Sequence, residues 1–203
     1  MEFAGAHECL PATLAVLPEE MMPPPAGIAL GHYLQMAVRI GVWDGVAIRR
    51  TSNDPDTLAY GAVFSAIVAA SIFLATALHK MLTRDGATAG TIFWGLLLGL
   101  VFVCVYSAGV AIVQIGAAHF IARAFLGSKG TLFGVMRPAL LGWWVNGMTV
   151  VPVVGLPVAT IVWTVVLMRI LEEVDGVSRV QAFLICAAIN GVFLALVYLV
   201  PHS

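Results

Sequence analysis

PALLGWWVNGMTVVPVVGLPVATIVWTVVLM, residues Pro138–Met168, runs for 31 residues without an Asp, Glu, Lys or Arg. As one α-helix it would extend about 46 Å at ~1.5 Å per residue, well past the ~30 Å of a hydrocarbon core. Its centre, PVVGLP (Pro152–Pro157), holds two prolines and a glycine, which punctuate any helix. The stretch reads either as one kinked span or as a tight hairpin with spans near Leu132–Val151 and Leu156–Leu171.

Working outward, three more charge-free runs appear: Thr57–Leu78, Gly86–Ala122 and Val180–Pro201. Runs of about 18 or more such residues read as transmembrane helices. Apolar residues make up 61% of the chain and charged residues 10%, against roughly 45–50% and 25% in soluble domains. The expected class is all-α, a polytopic bundle with the lipid bilayer as its main partner. A net charge of −1 gives no basic surface for nucleic acid.

Charge asymmetry separates the two readings of Pro138–Met168. With the amino terminus in the cytoplasm and the hairpin in place, Arg39, Arg49, Arg50, Arg123, Lys129, Arg137, Arg169 and Arg179 fall on the cytoplasmic side. Lys80 and Arg84 fall opposite, so the ten basic residues divide eight to two, strongly positive-inside. A single kinked span would move Arg169 and Arg179 across and leave six against four. Five spans follow, with the carboxyl end outside a prokaryotic inner membrane.

Three regions are expected: a Pro-rich tail (1–26), an amphipathic helix and turn (27–56), and the five-span domain (57–203). The tail carries Glu2, Glu8, Glu19 and Glu20 and no Lys or Arg in its first twenty residues, unlike a signal peptide. Between Gly27 and Arg50, His32, Gln35 and Arg39 recur at i, i+3 and i+7 on one helical face. Tyr33 and Trp43 suit a headgroup boundary. One helix lying on the membrane and ending at Arg49-Arg50 fits this pattern; a helix packed over the end of the bundle fits it equally. Asp56 is the expected N-cap of the first span.

Within the spans, Ala62, Ala66 and Ala70, and then Gly95-x-x-x-Gly99, form small-residue stripes that admit a neighbouring helix. Gln114, His119 and Arg123 mark the end of span two. His119 reads as an interfacial histidine, with a proton relay as the functional alternative. FLGSKGT (Phe125–Thr131) lacks phosphate-loop spacing. In RILEEVDGVSRVQ (Arg169–Gln181), Arg169 lies three and four residues from Glu172 and Glu173, so helical ion pairing is expected. A Gly176 turn and a Ser178 cap follow. Asn146 and Asn190 read as interhelical hydrogen-bonding groups, and Cys104 and Cys186 as small apolar packers. No catalytic, cofactor-binding or metal-ligating set is assigned. HECLP at His7 is not H-E-x-x-H, and no G-x-S-x-G occurs.

The segment His119–Ile189 resembles the Yip-domain family, five-span membrane proteins named for interaction with Ypt/Rab GTPases. The resemblance lies in the order of its parts: GSKGTLFGVMR, a span ending at VP, a VGLP turn, a span with central Trp163, an acidic loop and SRVQAFLICAAI. It implies a five-helix membrane domain of prokaryotic type. Eukaryotic members carry a DLYGP-type motif before the spans, and Met1–Arg50 holds no counterpart, so Rab binding is not carried over. The function expected is a non-enzymatic scaffold that binds a membrane-protein partner or a second copy. An accessory subunit of a respiratory or photosynthetic complex, or a small transporter using the Pro152–Pro157 break, are the alternatives.

Overall fold

The computed structural model describes residues 29–83, 89–151 and 154–199. The Pro-rich tail, Arg84, Pro152, Val153 and the carboxyl end lie outside the described residues. Among those described, the chain is helical, with no strand.

The amino-terminal region forms two helices, α1 (Ala29–Gly41) and α2 (Gly45–Asn53), where one continuous helix was expected. Trp43 adopts a left-handed φ of 68° and ends α1. Asp44 then restarts the chain, its carboxylate accepting from the backbone N–H groups of Val46 and Ala47, as an N-cap does. Arg39 pairs with the same carboxylate at 2.6 Å. The charges that interrupt the apolar pattern are thus the hinge itself.

α1 presents two apolar faces. Tyr33, Met36, Ala37 and Ile40 are buried against the bundle, while Leu30, Leu34 and Val38 stay exposed at i, i+4 and i+8. Tyr33 therefore turns inward. It stacks on Tyr60 at 4.0 Å and donates to Asp54 Oδ2 at 2.5 Å. Burial first, then the Asp54 carboxylate, raises its pKa above the ordinary tyrosine value. Trp43 remains 47% exposed.

α3 (Thr57–Thr83) starts behind Asp54, whose carboxylate accepts from the Asp56 N–H and the Thr57 hydroxyl. Asp56 holds the N-cap position, its carbonyl accepting from the Tyr60 N–H, while the Asp54 side chain ties the turn. The face of α3 that meets the bundle is Thr57, Gly61, Ser65 and Ala69, one residue before the alanine stripe read from the sequence. A side chain at Gly61 would meet Leu140 at 2.8 Å, and Ser65 Oγ donates to the Leu140 carbonyl at 3.1 Å. The alanine face lies beside α4, where the Cys104 thiol reaches the Ala66 carbonyl.

α4 (Ala89–Leu126) is a single 38-residue helix, about 57 Å long. It runs antiparallel to α3, with the Phe73 ring seated on Gly99. Gly95 faces open space, so one half of the G-x-x-x-G motif makes the crossing.

Among the described residues, four helices are long and apolar enough to cross a membrane: Thr57–Leu78, Phe93–Leu126, Gly155–Asp175 and Arg179–Leu196. That is one fewer than expected. The third expected span instead consists of α5 (Leu132–Gly142) followed by eight residues of 3₁₀ helix, Trp143–Val150. Local side-chain bonds explain the change. Asn146 donates to the Trp143 carbonyl and the Thr149 hydroxyl to the Asn146 carbonyl, each three residues back. Such bonds compete with the α-helical ladder.

α6 (Gly155–Ile170) continues into a five-residue π turn, Leu171–Asp175, which Gly176 ends at φ 67°. α7 (Arg179–Leu199) follows, with Ser178 donating to Gln181 at 2.7 Å across its first turn. The core lies among α1, α4, α5 and α6, around Ile40, Ile115, Leu141, Trp163 and Leu167.

Candidate functional site

Two polar groupings stand out in this apolar molecule. One closes an end of the bundle; the other surrounds a cavity in its middle.

The end grouping is built on Glu172 and Glu173. Arg169 pairs with both, as its spacing predicts, and Arg179 adds to Glu172 at 3.1 Å. Arg49 from α2 reaches Glu173, a contact no local spacing reveals. Gly45 leaves room for that carboxylate, since a side chain there would meet Glu173 Oε1 at 2.5 Å. Arg137 on α5 donates to the Ser52 carbonyl at the end of α2. α2 therefore touches both the start of α5 and the end of α6. The chain between Arg137 and Arg169 runs away from this end and returns to it.

Beneath the ion pairs, His119 Nδ1 lies 3.1 and 3.2 Å from the two carboxylate oxygens of Asp175. The side chains are 7% and 0% exposed, so His119 is buried within the protein. Asp175 belongs to the π turn, a geometry frequent at functional sites. The loop before α5 lies directly over it: a side chain at Gly130 would meet Asp175 Oδ1 at 2.1 Å and the Val174 carbonyl at 2.9 Å. Sequence patterning does not single out Asp175. The one local signal was the Asp-Gly pair at the turn.

The second grouping surrounds a cavity of about 300 Å³ among α3, α4, the 3₁₀ segment, α6 and α7. Two indoles brace it. Trp143 and Trp163 meet edge to face at 4.8 Å, Trp143 donating to Ser107 Oγ and Trp163 to Gln114 Oε1, both at 3.2 Å. A further tryptophan, Trp144, donates to the Ala37 carbonyl at 2.8 Å and fixes α1. All three serve internal packing. Gln114 is 7% exposed, not at an emerging helix end. Asn190 donates to Thr164 Oγ1 at 2.9 Å, the interhelical role expected of it. Asn146 lines the cavity and bonds within its own turn.

Cys186 is buried and Cys104 half-buried. Pro157 lies inside the first turn of α6. Gly155 is held close, since a side chain there would meet the Met148 carbonyl at 2.3 Å. No family model, curated protein or solved structure matches the chain.

Proposed function

We propose that this chain is a non-enzymatic integral membrane protein that holds partner proteins at a bilayer. Its plan is five crossings in the manner of the Yip-domain family, with the amino end cytoplasmic. The fifth crossing is α5 with the 3₁₀ segment. Eleven residues at ~1.5 Å and eight at ~2.0 Å cover about 32 Å, enough for a hydrocarbon core. The return of the chain between Arg137 and Arg169 supports the hairpin. The basic residues held at that end, Arg49, Arg137, Arg169 and Arg179, are among those the positive-inside count assigns to one side. The exposed apolar stripe of α1 fits a helix that packs on the bundle and dips into the interface.

One observation carries the partner-binding reading. No described residue covers the outer face of α4: Leu98, Phe102 and Val105 are 65%, 68% and 68% exposed. Arg39, Arg49, Arg169 and Arg179, by contrast, are tied into ion pairs with Asp44, Glu172 and Glu173. A rigid frame that leaves a broad helical face uncovered suits docking of another membrane helix, where packing rather than hydrophobicity drives association. Affinity purification from native membranes in mild detergent, followed by mass spectrometry, tests this. The expected result is a stoichiometric membrane-protein partner or a second copy, lost when Phe102 and Val105 are both replaced by bulky Trp. A monomer with no partner at any detergent concentration would overturn the proposal. Recovery inside a respiratory or photosynthetic assembly would make the chain an accessory subunit instead.

A further inference from the structure

Resting on the membrane reading but not on partner binding, we propose that the mid-bundle cavity is a binding site for a lipid-soluble alcohol or phenol. Its walls are mostly apolar, yet seven of its sixteen lining residues carry hydroxyl or carboxamide groups, among them Ser107, Gln114, Asn146, Thr149, Thr160 and Asn190. An acyl chain or a packing defect needs none of them. Clefts of roughly 300 Å³ upward, apolar with a few placed polar groups, are the usual form of small-molecule sites.

The hydrogen-bond network defines what the site takes. Thr164 donates its hydroxyl proton to the Thr160 carbonyl at 2.7 Å. Its oxygen can then only accept, which orients the Asn190 NH₂ toward it and turns Oδ1 the other way. Oδ1 is buried and has no partner among the described residues. Gln114 accepts from Trp163 with its oxygen, which leaves its NH₂ to donate. Both carboxamides are thus fixed by adjacent α6 residues, Trp163 and Thr164. Together they offer one acceptor and one donor, the complement of a hydroxyl group, which both donates and accepts. The last torsion of Asn is broad, so a small turn of the amide presents Oδ1 to a guest.

The route of access sets the solubility of the guest. Tyr106 is 61% exposed and also lines the cavity, so at α4 the cavity wall borders the surface of the molecule. That face meets lipid, and a ligand arriving there is dissolved in the bilayer. The edge-to-face Trp143–Trp163 pair supplies aromatic wall for its apolar body.

The test uses two probes of one shape, 1-naphthol and 1-methylnaphthalene, titrated calorimetrically into the full chain in phosphatidylcholine nanodiscs, with protein-free discs subtracted. The wild-type protein is expected to bind both saturably and 1-naphthol about tenfold more tightly, the effect of one buried hydrogen bond. Asn190→Leu, which removes an unpartnered polar atom and should fold, is expected to abolish the preference. Thr160→Phe, filling the cavity from α6, is expected to bind neither probe. Thermal unfolding of each variant confirms that it is folded. Equal affinity for the two probes, absence of saturable heat in the wild type, or a preserved preference in Asn190→Leu overturns the proposal.

Discussion

His119 on α4 and Asp175 in the π turn meet in a buried contact of 3.1 Å across 56 residues of sequence. The pair ties the longest helix of the molecule to the junction of its last two. Neither side chain has water to fall back on, so each is the other's principal polar partner. Removing one member leaves a buried polar group unsatisfied, which costs about 1–3 kcal/mol. Asp175→Leu and His119→Phe should each lower stability by that order, measured by unfolding in mild detergent. The double variant should lose about 1–3 kcal/mol less than the sum of the two. Strict additivity would show that the contact contributes nothing.

Glycines of this chain divide by what surrounds them, and that division is testable. A Cβ at Gly155 meets the backbone carbonyl of Met148 at 2.3 Å, whereas one at Gly95 meets nothing within 4 Å. Gly155→Val should destabilise by about 1–3 kcal/mol through overpacking. Gly95→Ala should be neutral or stabilising by up to about 1 kcal/mol, since Gly is a poor helix former. The ordering of the two melting temperatures decides; a reversed order would contradict the packing at the start of α6.

Between α1 and α2 the prediction concerns acid. The Arg39 guanidinium bonded to Asp44 holds that carboxyl below the usual range, helped by the Val46 and Ala47 N–H groups. A lowered folded-state pKa means that this stabilisation is present above the unfolded value near 4 and fades as pH falls through the folded value. The site is partly exposed, so the effect should not exceed about 1 kcal/mol. The stability gap between wild type and Asp44→Asn should be constant from pH 7 to 5 and shrink below pH 4. A gap unchanged at pH 3 would remove the ion pair from the account.

Topology can be read with two single cysteines in a background lacking Cys9, Cys104 and Cys186. Val154 and Ser178 are both exposed, whereas Asp175 is not. Val154→Cys should label with an impermeant maleimide from outside the cell, and Ser178→Cys after permeabilisation alone. Labelling of both from one side would refute five crossings.

Helix extents were largely legible because long charge-free runs mark them. Thr57–Leu78 is both the charge-free run and the apolar part of α3. The Arg169 pairs and the Gly176 turn were legible because they are local. Three features were not. The bundle-facing stripe of α3 begins at Thr57 and includes Ser65, and an apolar count does not register a hydroxyl that finds a carbonyl 75 residues away. The 3₁₀ segment depends on two side-chain bonds that composition does not distinguish from ordinary helix. Asp175 resembles its solvated neighbours, and its burial follows from where α4 and the Gly130 loop come to lie.

A 3₁₀ helix repeats every three residues, so side chains at i and i+3 eclipse. Trp143, Asn146 and Thr149, all facing the cavity, therefore stand in one row. Wound as an α-helix at ~100° per residue, the same three would fan through about 120°, and the row would face three directions. The tighter winding acts as a reading frame for this wall. Adding or deleting one residue between Gly142 and Val151 would change which side chains line the row, even with every other helix in place.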